Sequence, residues 1–161
     1  MGSDAEFQGG SWMMKWLTLV LLMPVFLGIS ALLVNRAPLL DPPGPMSRLK
    51  LYLTSNVAET RLDHERPELR PLRLRMPVAE ARALVLRTLH RLNWLEIFDD
   101  QEVIQAVVET PLLRFHDDIE IRLEAVDADV LVQVRSASRM GRGDLAANTR
   151  HILDLYHALS H

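Results

Sequence analysis

The run Trp16–Val34 (WLTLVLLMPVFLGISALLV) is nineteen residues without a charge, and it constrains the chain more than any other feature. A helix of that length spans about 30 Å of hydrocarbon, whereas a lone strand or loop there would leave its backbone polar groups without partners. A cleaved signal peptide usually has a shorter apolar stretch ending in a small-x-small site. Here the candidate site, Val34-Asn35-Arg36-Ala37, contains an arginine and is followed by Pro38. The expectation is therefore an uncleaved transmembrane anchor over 16–34, in which Pro24 and Gly28 are tolerable. The polar, aperiodic segment 1–15 before it reads as a disordered leader.

Residues 35–46 form a proline-rich linker, since Ala37–Pro45 (APLLDPPGP) holds four prolines and a glycine. Locked proline dihedrals make it a semi-extended spacer that would lift the C-terminal part of the chain off the bilayer. The remaining segment, 47–161, reads as one soluble α+β domain, a single core being the default at this length. With 18 basic against 21 acidic residues the net charge is -3, which argues against nucleic acid as a partner. The absence of cysteine excludes disulfides, thiolate catalysis and Cys-ligated zinc.

Within that domain, Leu49–Leu74 reads as irregular, because Pro67 and Pro71 interrupt it, with one edge strand expected at Leu72–Met76. Val78–Leu92 places Ala81, Leu84, Val85, Leu89 and Leu92 on one helical face. Four strand patterns come next: Trp94–Phe98, Val103–Glu109, Asp118–Ala125 and Val130–Arg135. The last two alternate apolar and polar residues around an Asp-Ala-Asp turn, as antiparallel strands with one buried face do. A final helix, Leu145–Leu159, aligns Leu145, Ile152, Leu155, Tyr156 and Leu159. The order implies a two-layer α+β sandwich: a four-stranded antiparallel meander covered by two helices and preceded by one transmembrane helix.

The chemistry concentrates in Arg135–Asn148 (RSASRMGRGDLAAN), where a strand gives way to a helix N-terminus. Arg135, Arg139 and Arg142 supply charge, Ser136 and Ser138 supply hydroxyls, and the helix start favours an anion. Asp144 is also placed to cap that helix, so the stretch reads either as a self-satisfied network or as a ligand site. A second polar cluster, Arg114–Asp118 (RFHDD), begins the neighbouring strand. Pairing Ala125 with Val130 sets Glu120 against Arg135 and puts Asp118 beside the serines. The candidate ligand-binding residues are thus Arg135, Ser136, Ser138, Arg139, Asp144, Asn148, Asp117 and Asp118. For Arg135, Glu120 and Asp118 to form a desolvated network, the loop from Ser136 to Asp144 would have to fold over their face.

A catalytic reading would use Asp117 or Asp118 with His116 as an acid–base pair and the arginines as oxyanion partners. Successive residues on a strand face opposite ways, however, so at most one of these aspartates can join His116. His64, His90, His151, His157 and His161 lack ligand spacing, so no metal and no cofactor is implied.

The segment Val134–Ile152, with its Arg-Ser-x-Ser-Arg-x-Gly run leading to Asp-Leu-x-x-Asn, resembles the uncharacterised family catalogued as domain of unknown function 1499. Arg114, Phe115, Asp117 and Asp118 resemble that family's Arg-Phe-x-Asp-Asp segment. A weaker similarity places Ser55-Asn56-Val57-Ala58-Glu59-Thr60 where members show Pro-Asn-Cys-Val-Ser-Ser, without the cysteine. The resemblance covers roughly Leu53–Leu159. It implies one fold and a bacterial or plastid envelope setting, and it implies no reaction.

The expected protein is thus a membrane-anchored envelope domain acting as a binding or accessory module with an Arg/Ser/Asp polar site. The alternatives are a hydrolase, or a structural subunit of a membrane complex. Expected partners are the bilayer, an anionic small molecule or lipid headgroup, and another membrane protein. The expected location is a single pass in a bacterial inner membrane with the domain in the periplasm. Orientation is contested: Arg36, Arg48 and Lys50 against Lys15 favour a cytoplasmic domain by the positive-inside rule, whereas a short Met-Lys leader before an apolar segment commonly exports the domain beyond it.

Overall fold

The computed structural model describes residues 6–111 and 114–161. Helix α1 (Glu6–Val34) contains Trp12–Val34, a stretch with a mean hydropathy of 2.6, long and apolar enough to cross a membrane. The side chains of Trp12–Val34 are mostly apolar and mostly exposed. Residues 6–15, expected to be disordered, belong to this helix, and residues 1–5 lie outside the described part of the chain.

The proline segment does not act as a spacer. Pro45 occupies the first turn of a second helix, α2 (Pro45–Thr54), where its missing N–H leaves no bond unmade. From this helix the fully buried side chain of Arg48 turns back on the segment. It donates through Nε to the carbonyl of Asp41 (3.0 Å) and through Nη2 to that of Pro42 (2.6 Å). Its Nη1 donates to Tyr52 Oη (3.1 Å) and to Glu68 Oε1 (2.6 Å). The linker is thereby clamped against the domain. The side chain of Asn35, at the end of the apolar helix, donates to the Leu145 carbonyl at 2.9 Å, and Ala31 is buried. The domain therefore sits directly on the last turns of the apolar helix.

The α+β sandwich forms as the patterning requires. Strands β3 (Leu95–Asp99), β4 (Val103–Glu109), β5 (His116–Val126) and β6 (Asp129–Ser138) make the expected antiparallel meander. Two short strands lie end to end along the outer edge of β6 and bring the sheet to six strands: β2 (Leu72–Leu74), where an edge strand is expected over Leu72–Met76, and β1 (Val57–Glu59), which the pattern does not announce. The β5–β6 register pairs Ala125 with Val130, Ile121 with Val134 and Glu120 with Arg135, as the alternation demands. Helices α3 (Val78–Arg91) and α4 (Ala147–Ser160) cover one face. Ala81, Val85 and Leu89 from the first, with Ile152, Leu155 and Leu159 from the second, meet Ile104, Ile119, Ile121, Val132 and Val134. Tyr156 closes the edge of this core by donating to the Val132 carbonyl at 2.7 Å.

Candidate functional site at the polar end of the core

The two sheet faces divide the polar residues by parity. On β5, Asp117 shares the core face with Ile119 and Ile121; on β6, Ser136 and Ser138 share it with Val132 and Val134. The core is therefore apolar along most of its length and turns polar at one end. There α4 contributes Asn148 and His151, which are three residues apart and so project on the same side. Asp117, Ser136 and Asn148 are fully buried and His151 nearly so.

Their hydrogen bonds form one network. Ser136 Oγ donates to Asn148 Oδ1 at 2.5 Å. Asn148 Nδ2 donates to Ser138 Oγ (2.9 Å) and to the Asn56 carbonyl (2.8 Å), tying helix, central strand and β1 together. His151 Nε2 is hydrogen-bonded to Asp117 Oδ2 at 2.9 Å, and Trp94 makes a T-shaped contact with the imidazole at a centroid distance of 6.3 Å. The other oxygen, Asp117 Oδ1, is buried and has no partner among the described residues. An unpaired buried acceptor costs roughly 1–3 kcal/mol, more when charged, so its persistence calls for a reason.

The chain leading into α4 is held by contacts that explain its glycine and its aspartate. A Cβ on Gly143 would lie 2.4 Å from the Leu53 carbonyl oxygen, so only glycine lets this loop reach the end of α2. There Asp144 N donates to the Ser55 carbonyl at 3.2 Å and Leu145 N to that of Tyr52 at 3.0 Å, which satisfies acceptors the helix leaves open. Leu145 and Ala146 both adopt positive φ, 50° and 70°, which costs about 1–2 kcal/mol for each side-chain-bearing residue. Asp144 holds the turn by accepting from the backbone N–H of Ala146 (2.9 Å) and of Asn148 (3.1 Å). It thus caps α4 from two residues further back than its position suggests. Burial pushes its carboxyl above the ordinary aspartate value.

Asp117, Ser138 and Asp144 reach the wall of a cavity of about 120 Å³ at the junction of the domain and the apolar helix. Ala31, Val34 and Asn35 at the end of the apolar helix close one side, and Thr110, Phe115, Met140 and Leu145 line others. Among the described residues, the lining contains two carboxylates and neither arginine nor lysine.

Five of the eight sequence candidates, Asp117, Ser136, Ser138, Asp144 and Asn148, thus come together. Arg135, Arg139 and Asp118 do not: they lie on the opposite, wet face. There Arg139 forms a two-pronged pair with Asp118 (Nη2–Oδ1 2.7 Å, Nε–Oδ2 3.1 Å), and Arg135 Nη1 lies 3.6 Å from Glu120 Oε1. All four side chains are substantially exposed, because the stretch after Ser138 turns toward α2 and the end of the apolar helix instead of folding over them. The proposed pairing of His116 with Asp117 also fails, since adjacent strand residues face apart. His116 is exposed, 3.6 Å from Glu109 Oε2, and the histidine that reaches Asp117 is His151. Metal-ligand spacing does not single out His151. The informative neighbour is Asn148, one turn earlier on the inward stripe. No group of three His, Asp or Glu side chains that could hold a metal occurs among the described residues.

Fold and site together define a two-layer α+β domain with a polar-ended core, seated on an N-terminal apolar helix. Residues 46–159 match the model of the protein family of unknown function DUF1499, and the chain belongs to that family. No curated protein and no solved structure matches it.

Proposed function

We propose that the protein is a single-pass, membrane-tethered binding module of the bacterial envelope, its domain on the periplasmic side of the inner membrane and its ligand held in the junction cavity. The observation that carries this reading is Asp117 Oδ1, a buried acceptor without a partner among the described residues, on a residue that lines the cavity. A ligand that donates a hydrogen bond there removes the cost of the orphaned acceptor. The apolar helix supports the tether.

Two aspartates in an otherwise largely apolar lining change the expected ligand. An anion would sit beside Asp117 and Asp144 with no cation from the cavity wall, so the ligand is a hydrogen-bond donor, neutral or cationic. The Arg135 and Arg139 pairs on the far face are surface ion pairs of the fold.

Native mass spectrometry of the full-length chain, extracted in mild detergent, tests the reading. The parent should carry an additional non-protein mass, and Val34→Trp, which fills the cavity from the anchor side, should lose it. A parent that is bare under extraction, or a Val34→Trp chain that keeps the mass, refutes the assignment.

A further inference from the structure

We infer that the junction cavity takes the primary ammonium headgroup of a bilayer phospholipid. This rests on the reading of the cavity as a ligand site and specifies its occupant. Position comes first. Ala31, Val34 and Asn35 end the apolar helix and form one wall, so the cavity lies where that helix leaves the hydrocarbon and lipid headgroups begin. Phe115 and Met140 line the cavity and are also exposed, which continues the apolar surface of the anchor up to its mouth.

Size and chemistry narrow the occupant. At about 120 Å³ the cavity is well below the roughly 300 Å³ at which pockets for whole drug-sized ligands begin, so it encloses the end of a molecule whose remainder stays outside. A phospholipid presents its headgroup in that way while its chains remain in the bilayer. Asp117 Oδ1 requires a donor, and Ser138 Oγ, which already accepts from Asn148, retains a lone pair. A primary ammonium has three N–H donors and a charge that suits two neighbouring carboxylates. A quaternary ammonium has no N–H and leaves Oδ1 unsatisfied. An anionic glycerol headgroup supplies hydroxyls but brings its phosphate charge to an acidic wall.

The test uses the full-length chain equilibrated in detergent with equal amounts of phosphatidylethanolamine, phosphatidylcholine and phosphatidylglycerol of identical acyl chains, read by native mass spectrometry. Phosphatidylethanolamine should be retained over each of the others by about tenfold or more, a ratio within reach of one charge-assisted hydrogen bond. Asp117→Asn and Val34→Trp should each abolish the preference; the second leaves the domain's own core untouched and serves if the first impairs folding. Equal retention of the three lipids, or a preference that survives Val34→Trp, overturns the proposal. A second arm adds free phosphoethanolamine to the chain in phosphatidylcholine micelles and monitors backbone amide exchange at Ala146 and Asn148. Protection there without lipid retention leaves the cavity a ligand site for a soluble amine and overturns the lipid assignment. Protection and retention both absent overturn both readings.

Discussion

Replacing Arg48 by methionine keeps most of the side chain's volume and removes its guanidinium, which isolates the electrostatic part of the clamp. The guanidinium is fully buried, and its loss leaves Glu68, whose side chain is only 17% exposed, without its cation. Removing one member of a buried pair costs about 3–5 kcal/mol. The residual exposure of Glu68 moves the figure toward the lower end, and the freed carbonyls of Asp41 and Pro42 add about 1 kcal/mol. The sum is about 4 kcal/mol, a large part of the 5–15 kcal/mol typical of a domain, and corresponds to a fall of roughly 15 °C in melting midpoint. Near-ultraviolet circular dichroism of the full chain in detergent reads the midpoint. Arg48→Met combined with Glu68→Leu should recover part of the loss, because an apolar substitute removes the stranded carboxylate. Burial pushes Glu68 up, yet the hydrogen bond and charge of Arg48 outweigh it and hold the carboxyl below the usual range. A depressed carboxyl contributes stability above its unfolded pKa and loses it as the pH falls through the folded value. The parent should therefore weaken below about pH 4, and Arg48→Met should lack that acid slope. A midpoint within about 3 °C of the parent, or an unchanged slope, refutes the clamp.

Gly143→Ala should lower the melting midpoint sharply and speed amide exchange at Asp144 and Leu145, since the new Cβ would meet the Leu53 backbone at 2.4 Å; Gly28→Ala, with nothing within 4 Å, should do neither. Arg135→Ala and Arg139→Ala should melt with the parent, because both pairs are wet, and a marked loss from either would show that their face is covered. Asp144 should act in the sense opposite to Glu68: its raised carboxyl contributes stability below the unfolded pKa and loses it as the pH rises through the folded value, so Asp144→Asn should flatten the decline in melting midpoint from about pH 4 upward. Because the chain has no cysteine, Glu124→Cys on the exposed turn end of β5 gives a single label site. A membrane-impermeant maleimide should modify it in spheroplasts, and labelling only after lysis would place the domain in the cytoplasm.

Elements long enough to display a period were legible in the sequence. The stripe on Val78–Arg91 and the alternation on β4, β5 and β6 fix both their type and their pairing, since a slip of one residue would turn Ile119 and Ile121 to water. What stayed hidden was short or held by tertiary contacts. Three-residue strands such as Val57–Glu59 are too brief to show a pattern, and they exist because the edge of β6 needs partners. The segment from Leu49 reads as irregular, its Leu49, Leu51, Leu53 spacing being no helical stripe, yet Pro45 at the helix start and the four-residue spacing of Arg48 and Tyr52, which bond each other, make it part of α2.

The site shows where sequence reading ends for a physical reason. Counting by twos from the apolar residues sorts the polar ones without coordinates: Val132, Val134, Ser136 and Ser138 face in, as do Ile121, Ile119 and Asp117, while Arg135, Arg139 and Asp118 face out. The arginines draw attention because charge is conspicuous in a sequence, but charge that faces water is inexpensive and specifies little. Serine and aspartate on the inward parity are the informative positions, since each must find a buried partner or carry a penalty. Parity also asks which inward residue of α4 answers them, and Asn148 with His151 one turn later is the reply. Parity cannot supply the remaining wall. Only the fold of the proline segment, held by Arg48, brings the end of the apolar helix onto the polar end of the core, and that contact makes a cavity of what the domain alone would present as an open edge.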